Sequence, residues 1–252
     1  MKAARSAKHH DDTIIEIGAR PKLRPLSQDP AELPEGEVAR EAEFKIRLAN
    51  TEGRRSKISY LIKRRFAWRG YQISSTANAP ANRITLAAFS NTEQPLATIT
   101  VGIDSPAGLA IEALYPDEIK AFRDAGKRLS EFTRLAVDSM VRSKAVLAAI
   151  FHIAYIYAYR LRESTDLVIE VNPRHVRFYQ TMLGFVRMGD ERIDPRVNAP
   201  AVLLGLALAH AEAEIARVGG HAELASREKV LYPLFFSVAE EKGIEGRLRA
   251  LT

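Results

Sequence analysis

A glutamate and an arginine three residues apart are the first side chains whose types suit catalysis. They lie in the alternating segment Leu129-Ser-Glu-Phe-Thr-Arg-Leu-Ala-Val137, next to a strongly apolar stretch, where unpaired charges are costly. A carboxylate at Glu131 could act as a general base, directly or through a water molecule, and the guanidinium of Arg134 could hold a carboxylate. Strict alternation places the two on opposite faces of a strand, so both face one cleft only if a β-bulge intervenes. Otherwise one of them faces solvent.

The second such segment runs from Asn172 to Phe185. Asn172 is a good helix N-cap, Pro173 suits the first helical position, and Gly184 suits a left-handed C-cap. These capping residues by themselves predict only a strand-helix-strand unit. The short helix nevertheless contains an unusual number of polar side chains, which are Arg174, His175, Arg177, Tyr179 and Gln180.

A third segment is strongly basic. Seven Lys and Arg residues and no acid occur between positions 54 and 69. Most of them are expected on a solvated helix face, but Arg65 follows Ile58 by seven residues and falls on the apolar stripe of the same helix. A buried guanidinium needs an anion, which a substrate carboxylate or Glu131 would supply. The alternative is that Arg65 extends along the surface into solvent.

These segments resemble known acyltransferases. Asn172-x-x-x-x-x-Phe-Tyr179 followed by Leu-Gly-Phe185 resembles the motif that lines the thioester-binding cleft of GNAT acyltransferases. Glu131-x-x-Arg-x-Ala-Val137 is similar to a strand of acyl-homoserine lactone synthases and of the related N-acyl amino acid synthases. Residues 63–71 resemble the first-helix segment of the latter, where the acceptor pocket lies. The sequence is therefore identified as a member of the N-acyl amino acid synthase family.

The resemblance implies transfer of a fatty acyl group from acyl-carrier protein to the α-amine of a free amino acid. Tyr179 would then protonate the departing thiolate, with Glu131 as base and Arg65 or Arg134 holding the acceptor carboxylate. The expected substrate-binding residues are Arg65, Phe66, Trp68, Val137, Arg142, Ser143, Lys144 and Asn172.

The donor is expected to be acyl-phosphopantetheine on the carrier protein. Ordinary GNAT enzymes carry a glycine-rich loop after this strand, whose amides hold the pyrophosphate of coenzyme A. The equivalent stretch here, Asp138 to Lys144, contains no glycine. Arg142, Ser143 and Lys144 could instead bind a single phosphate.

Hydrophobic periodicity places these residues on an alternating series of elements. It predicts strands at 44–48, 83–89, 96–103, 129–137, 166–171 and 201–205, and helices at 51–68, 116–125, 145–161, 173–183, 206–217 and 222–242. The last helix should break at Pro233. The order predicts an α/β fold with a GNAT-like mixed central sheet flanked by helices on both faces, and a central strand-helix-strand unit that supplies a parallel crossover.

Three regions follow from composition. Residues 1–40 contain four prolines and few apolar residues, which predicts a mobile N-terminal arm. Residues 41–217 form the expected acyltransferase domain, and 218–252 a C-terminal helical extension. The apolar run from Ala145 to Tyr159 is shorter than the roughly 20 residues of a membrane span, so it is expected to be a buried core helix.

The whole chain of 252 residues has a formal charge of +6 and contains no cysteine. The charge favours acidic partners such as acyl-carrier protein, with nucleic acid the less expected one. Without cysteine the chain cannot form disulfides, thiolate metal sites or an acyl-enzyme thioester. We expect a cytoplasmic enzyme with no permanently bound cofactor and no metal. The alternatives are an acyl-homoserine lactone synthase using S-adenosylmethionine, a conventional acetyl-CoA transferase, and a non-catalytic binder of acyl-carrier protein or nucleic acid.

Overall fold

A nine-stranded, mostly antiparallel sheet organises the computed structural model, which describes residues 12–18, 43–67, 82–141 and 143–252, with Phe66 and Ala67 as backbone only. Its strands are β1 (Thr13–Ile17), β2 (Phe44–Leu48), β3 (Arg83–Ser90), β4 (Pro95–Ile103), β5 (Leu129–Val137), β6 (Asp166–Val171), β7 (Val186–Arg187), β8 (Arg192–Asp194) and β9 (Ala199–Ala207). They lie in the order β1-β2-β3-β4-β5-β6-β9-β7, and β8 also pairs with β9.

The described helices cover both faces of the sheet. They are α1 (Glu52–Ala67), α2 (Pro116–Asp124), α3 (Lys144–Tyr155), α4 (Val176–Leu183), α5 (Leu208–Val218) and α6 (Val238–Leu251). Helices α1 and α2 pack on one face, called the α1 face below. The other four share the main hydrophobic core on the α3 face. The predicted mixed sheet with helices on both faces is confirmed.

The central crossover links β5 through α3 to β6, and these two strands are parallel as predicted. Helix α3 continues into a π-helical turn over Ile156–Leu161. By length and composition the segment Lys144–Leu161 could span a membrane, but 72% of it is buried within the fold. It is therefore the core helix that the sequence predicted.

The prediction of a mobile arm is wrong for residues 13–17, which form β1. Ile14 and Ile17 are buried, and β1 pairs antiparallel with β2. Arg247 of α6 donates from Nε to the Ile14 carbonyl at 2.6 Å. Composition missed this strand because its partners come from distant parts of the chain. Residues 1–11 and 19–42 lie outside the described part.

The helix predicted for residues 222–242, with its break at Pro233, is also wrong in its extent. Short 3-10 turns occupy Ala222–Ser226 and Tyr232–Leu234, and α6 begins only after Ser237. Ser237 and Glu240 form a capping box that sets this start. The chain breaks at Pro233 as predicted, and the irregular stretch around it is held because Leu231 to Phe236 are all buried.

Candidate active site

The β-bulge that the sequence required in β5 is present. Thr98 of β4 pairs with Ala136 and Thr100 pairs with Thr133, so β5 contains one extra residue between these pairs. Arg134 lies at this position with a φ of 53°, a left-handed conformation that side chains other than glycine rarely adopt. The bulge reverses the alternation after it. Ala136 therefore packs against α1, on the same face as Glu131.

Cross-strand registers build a polar surface on the α1 face. Its first row is Arg83-Gly102-Glu131 and its second row is Thr85-Thr100-Thr133, across β3, β4 and β5. The next row, Ala87-Thr98-Ala136, lies beside α1, and the apolar cluster of α2 covers Leu129 and Val168. We call the first two rows together with Arg134 the polar floor. It lies between the areas that α1 and α2 cover.

The Glu131 carboxylate is fully buried and already accepts three hydrogen bonds. Arg83 donates from Nη2 at 2.8 Å, and the backbone N–H groups of Ala110 and Ile111 donate at 3.0 and 3.1 Å. The ion pair passes over Gly102, where a Cβ atom would lie 2.9 Å from the Glu131 side chain. Since a carboxylate offers about four acceptor positions, little capacity is left for a proton from substrate. The role of Glu131 as base stays a prediction.

Arg134 is half-buried and makes no ion pair with any described residue. Its pKa is lowered by burial and by the nearby Arg83 guanidinium, and Glu131 opposes this shift. These interactions place Arg134 beside the Arg83–Glu131 pair. The Arg83 Nε atom is also buried without a hydrogen-bond partner in the described chain. The polar floor thus holds two cations against one carboxylate, which suits a bound anion.

A gap between β5 and β6 opens next to the polar floor. The two strands pair only from Leu129–Asp166 to Glu131–Val168, whereas β6 stays paired with β9 as far as Val171. The remaining part of β5 separates from β6. We call this gap the wedge.

Tyr179 approaches from α4 on the α3 face, opposite to the polar floor. Its ring centroid lies 6.4 Å from that of Phe151, which stacks on Phe132 of β5 at 6.4 Å. The Tyr179 side chain is half-buried, and burial raises the pKa of its hydroxyl above the ordinary value. The hydroxyl is therefore protonated at neutral pH, and its role in protonating the thiolate stays a prediction.

The predicted caps are found where the sequence placed them. Asn172 Oδ1 accepts from the Arg174 N–H at 3.3 Å, and Gly184 ends α4 with a φ of 78°. Ser143, which the sequence predicted only as a substrate-binding residue, caps α3, with its Oγ accepting from the Ala145 N–H at 3.1 Å. Lys144 follows as the first helical residue and is half-buried. Substrate contacts of Asn172, Ser143 and Lys144 stay predictions.

The other predicted binding residues lie away from the polar floor or outside the described residues. Val137 ends β5, opposite Ala97 of β4. Arg65 is half-buried on α1 and forms no ion pair with Glu131. Trp68 and Arg142 lie outside the described residues, as does the side chain of Phe66.

Sequence reasoning missed Arg83, which occupies the position beside Glu131 that Arg65 was expected to take. It also missed Glu170, a charged residue in the otherwise apolar strand β6. A glutamate within Leu-Val-Ile-Glu-Val171 was the available signal, since such a charge is costly without a purpose. Among the described residues, no group of three or more His, Asp or Glu side chains could hold a metal ion.

The bulged strand β5 separates from its parallel neighbour β6, and the core helix α3 crosses between them, an arrangement typical of GNAT-type acyltransferases. The model of the N-acyl amino acid synthase FeeM family matches residues 57–207, more than half of the chain. The chain belongs to this family and is an N-acyltransferase.

Solved structures agree with the fold. The N-acyl amino acid synthase FeeM from uncultured soil microbes superposes with a TM-score of 0.62 at 24% identity, over 68% of this chain and 95% of that one. An acyl-CoA N-acyltransferase from Pseudomonas aeruginosa gives 0.48 at 16% identity, over 66% and 100%. The AHL synthase LasI gives 0.49 at 12% identity, over 66% and 91%. A comparison with curated proteins found no match.

Proposed function

We propose that this N-acyltransferase moves a long-chain fatty acyl group from acyl-carrier protein to the α-amine of a free amino acid, giving an N-acyl amino acid. The observation that carries the proposal is the surplus cation of the polar floor, beside the wedge. An amino acid presents a carboxylate for such a cation and an amine within a few ångströms of it. The cytoplasmic location expected from the sequence is part of the same proposal.

On the acceptor side, Arg134 is assigned to the substrate carboxylate. Its guanidinium is half-buried and unpaired among the described residues, and a planar guanidinium binds a carboxylate through two parallel hydrogen bonds. Glu131 does not fully neutralise Arg134, because its carboxylate already pairs with Arg83. Binding there would hold the α-amine on the polar-floor side of the wedge.

On the donor side, the thioester is assigned to the wedge, with its sulfur towards Tyr179. The amine nitrogen attacks the thioester carbon, the carbon–sulfur bond breaks, and Tyr179 protonates the thiolate. A bulge leaves backbone groups unpaired, and we assign a backbone N–H near Arg134 to the developing oxyanion. Acyl-phosphopantetheine is a co-substrate in this scheme, and no permanently bound cofactor is required.

The start of α3 supports a carrier-borne donor over free coenzyme A. Its N-cap is the side chain of Ser143, and the preceding stretch has no glycine that would let a pyrophosphate approach the backbone. Lys144 offers one charge for a single phosphate. The acidic carrier protein also suits the basic chain.

The test is a product analysis. The purified protein is incubated with a long-chain acyl thioester of acyl-carrier protein and a mixture of amino acids, and products are identified by mass spectrometry. We expect an N-acyl amino acid and the free carrier thiol in equal amounts. A lactone formed only with S-adenosylmethionine, acetylated amines formed only from acetyl-CoA, or carrier binding without product would each contradict the proposal.

A further inference from the structure

We propose that Glu170 of β6 is the catalytic base that removes the proton from the attacking amine. This inference depends on the proposed acyl transfer and adds a residue to it. It assigns Glu131 a different task, which is to position Arg83 and the 3-10 helix Ala110–Ala113.

Glu170 lies at the margin of the wedge. Val168 is the last residue of β6 that pairs with β5, and its partner is Glu131. Glu170 follows two residues later, so it projects to the same face as Val168 and Glu131. On its other side it pairs with Leu203 of β9. On its β5 side Glu170 has no strand partner among the described residues, and the polar floor lies across that gap.

The two carboxylate oxygens of Glu170 differ in their contacts. Oε2 accepts from Nη2 of Arg196. Oε1 is buried and has no hydrogen-bond partner within the described residues. One oxygen therefore holds the carboxylate in place while the other is available to take a proton. The Glu131 carboxylate, by contrast, accepts from three donors.

Arg196 is itself held rigidly. Its Nε atom donates to Asp194 at 2.8 Å, and its Nη1 atom donates to the Ala110 carbonyl at 2.8 Å. The N–H of the same residue, Ala110, donates to Glu131. The 3-10 turn at Ala110 thus contacts both Glu131 and Arg196, the residue that holds Glu170. This shared contact positions Glu170 relative to the polar floor.

The charged and titratable groups around Glu170 come from several elements. They are Asp194 at the end of β8, Arg196 two residues after it, Glu131 on β5, and the hydroxyl of Tyr115 ahead of α2. Burial raises the pKa of Glu170 to about 7; Arg196 opposes this shift, and Asp194 and Glu131 add to it. A base is most effective when its pKa lies near the working pH.

Glu170 and Tyr179 together account for the protons moved in the acyl transfer. The neutral amine nitrogen bonds to the thioester carbon as the carbon–sulfur bond breaks. Oε1 of Glu170 takes one proton from the nitrogen, and Tyr179 gives one proton to the sulfur. Glu170 then loses its proton to solvent and Tyr179 regains one, so the enzyme returns to its starting state.

The experiment measures kcat against pH for the N-acyl product with the wild type, Glu170→Gln, Glu170→Asp and Glu131→Gln. We expect Glu170→Gln to lower kcat by about 10²–10⁴-fold and to abolish the rise of kcat through pH 7. Glutamine keeps the size of the side chain and an acceptor for Arg196. Glu170→Asp and Glu131→Gln should be slower than the wild type but keep the rise.

Glu118→Gln is the matched control. Glu118 pairs with Arg192 at 2.5 Å on α2, on the same face of the sheet, and it has no assigned role. Its kcat and pH profile should equal those of the wild type. The proposal is overturned if Glu170→Gln keeps the rise, or if Glu131→Gln alone abolishes it.

A readout without turnover separates this inference from the proposed function. Difference infrared spectra of the wild type minus Glu170→Gln should show a carboxylic acid that titrates near pH 7. If the wild type forms no N-acyl amino acid, the proposed function fails. If product forms but no such carboxyl titrates above pH 5, the assignment of Glu170 fails.

Discussion

Arg134 shows how a single residue's backbone determines what its side chain can do. A regular strand would direct Arg134 away from Glu131, whereas at the bulge, with its left-handed φ, Arg134 interacts electrostatically with both Glu131 and Arg83. Gly102 has a complementary effect, because its missing side chain lets the Glu131 carboxylate reach Arg83 across β4. Arg134 is thereby left without an anion of its own in the described chain.

The prediction at this scale concerns Arg134→Lys. Lysine keeps the charge but cannot form two parallel hydrogen bonds to a carboxylate. Losing one charge-assisted bond of about 1.5–3 kcal/mol should raise KM for the amino acid about 10–100-fold, with a smaller effect on kcat. Steady-state kinetics with varied amino acid measure this. The exposed Arg187, paired with Asp190, supplies the control Arg187→Lys. An unchanged KM in Arg134→Lys would remove Arg134 from acceptor binding.

Helix α6 lies beyond the region that the family model matches, yet it is anchored to the core helix. The Phe236 N–H donates to His152 Nδ1 at 2.9 Å, so the ring carries its proton on Nε2 and donates it to Glu241 at 3.1 Å. Glu241 also accepts from Arg160 Nε at 2.7 Å. Both ring nitrogens of the buried His152 are therefore hydrogen-bonded. This cluster fastens α6 to the helix that crosses between β5 and β6.

Glu241→Ala should therefore destabilise the protein. It leaves the buried Nε2–H of His152 and the half-buried Nε–H of Arg160 without their acceptor, which costs about 1–3 kcal/mol. Denaturant unfolding at pH 7 measures the loss. Glu245→Ala removes a glutamate on the same helix whose ion pair, within the described part of the chain, is with the exposed Arg249. Its unfolding free energy should therefore change by less than about 0.5 kcal/mol. Equal values for the two variants would show that the cluster does not anchor α6.

The same cluster predicts the direction of a pH effect. Burial lowers the pKa of His152 below its usual 6.5, so below that pH the unfolded chain binds a proton that the folded chain does not. Stability should fall as the pH drops below 6.5. The pKa of Glu241 is lowered as well, although burial alone would raise it, because His152 and Arg160 favour its ionised form. Below its usual value of 4.5 a further loss follows.

At the scale of the whole molecule, the charge of +6 is expected to attract an acidic carrier. Lys144→Glu, at the start of α3, should raise KM for acyl-carrier protein about tenfold and leave KM for the amino acid unchanged, since it reverses charge only on the donor side. Added salt should weaken carrier use in the wild type. Lys242→Glu makes the same change of net charge on α6, which packs at the opposite end of the α3 segment. This variant should have little effect on the KM for acyl-carrier protein. Equal effects of both variants would mean that only net charge matters.

Much of the fold follows from local patterns. The bounds of β5 and β6 were predicted to the residue, because an alternating segment and a short apolar run each end at polar residues. The buried α3 segment and the capped helix after Asn172 are similarly local. The strand β1 and the irregular stretch before α6 were not predictable in this way, because their partners are remote in sequence.

For the site, the sequence by itself determined the family, the glutamate-arginine pair on β5 and the tyrosine on α4. It even showed that a bulge would be needed, because side-chain alternation along a strand is a local rule. Only the tertiary structure decided which charges meet. The register across β3, β4 and β5 joins Glu131 to Arg83, and Glu170, beyond the last β5–β6 pair, has one oxygen without a hydrogen-bond partner among the described residues. Register, burial and the distance between charges depend on all the strands together, so no single segment contains them.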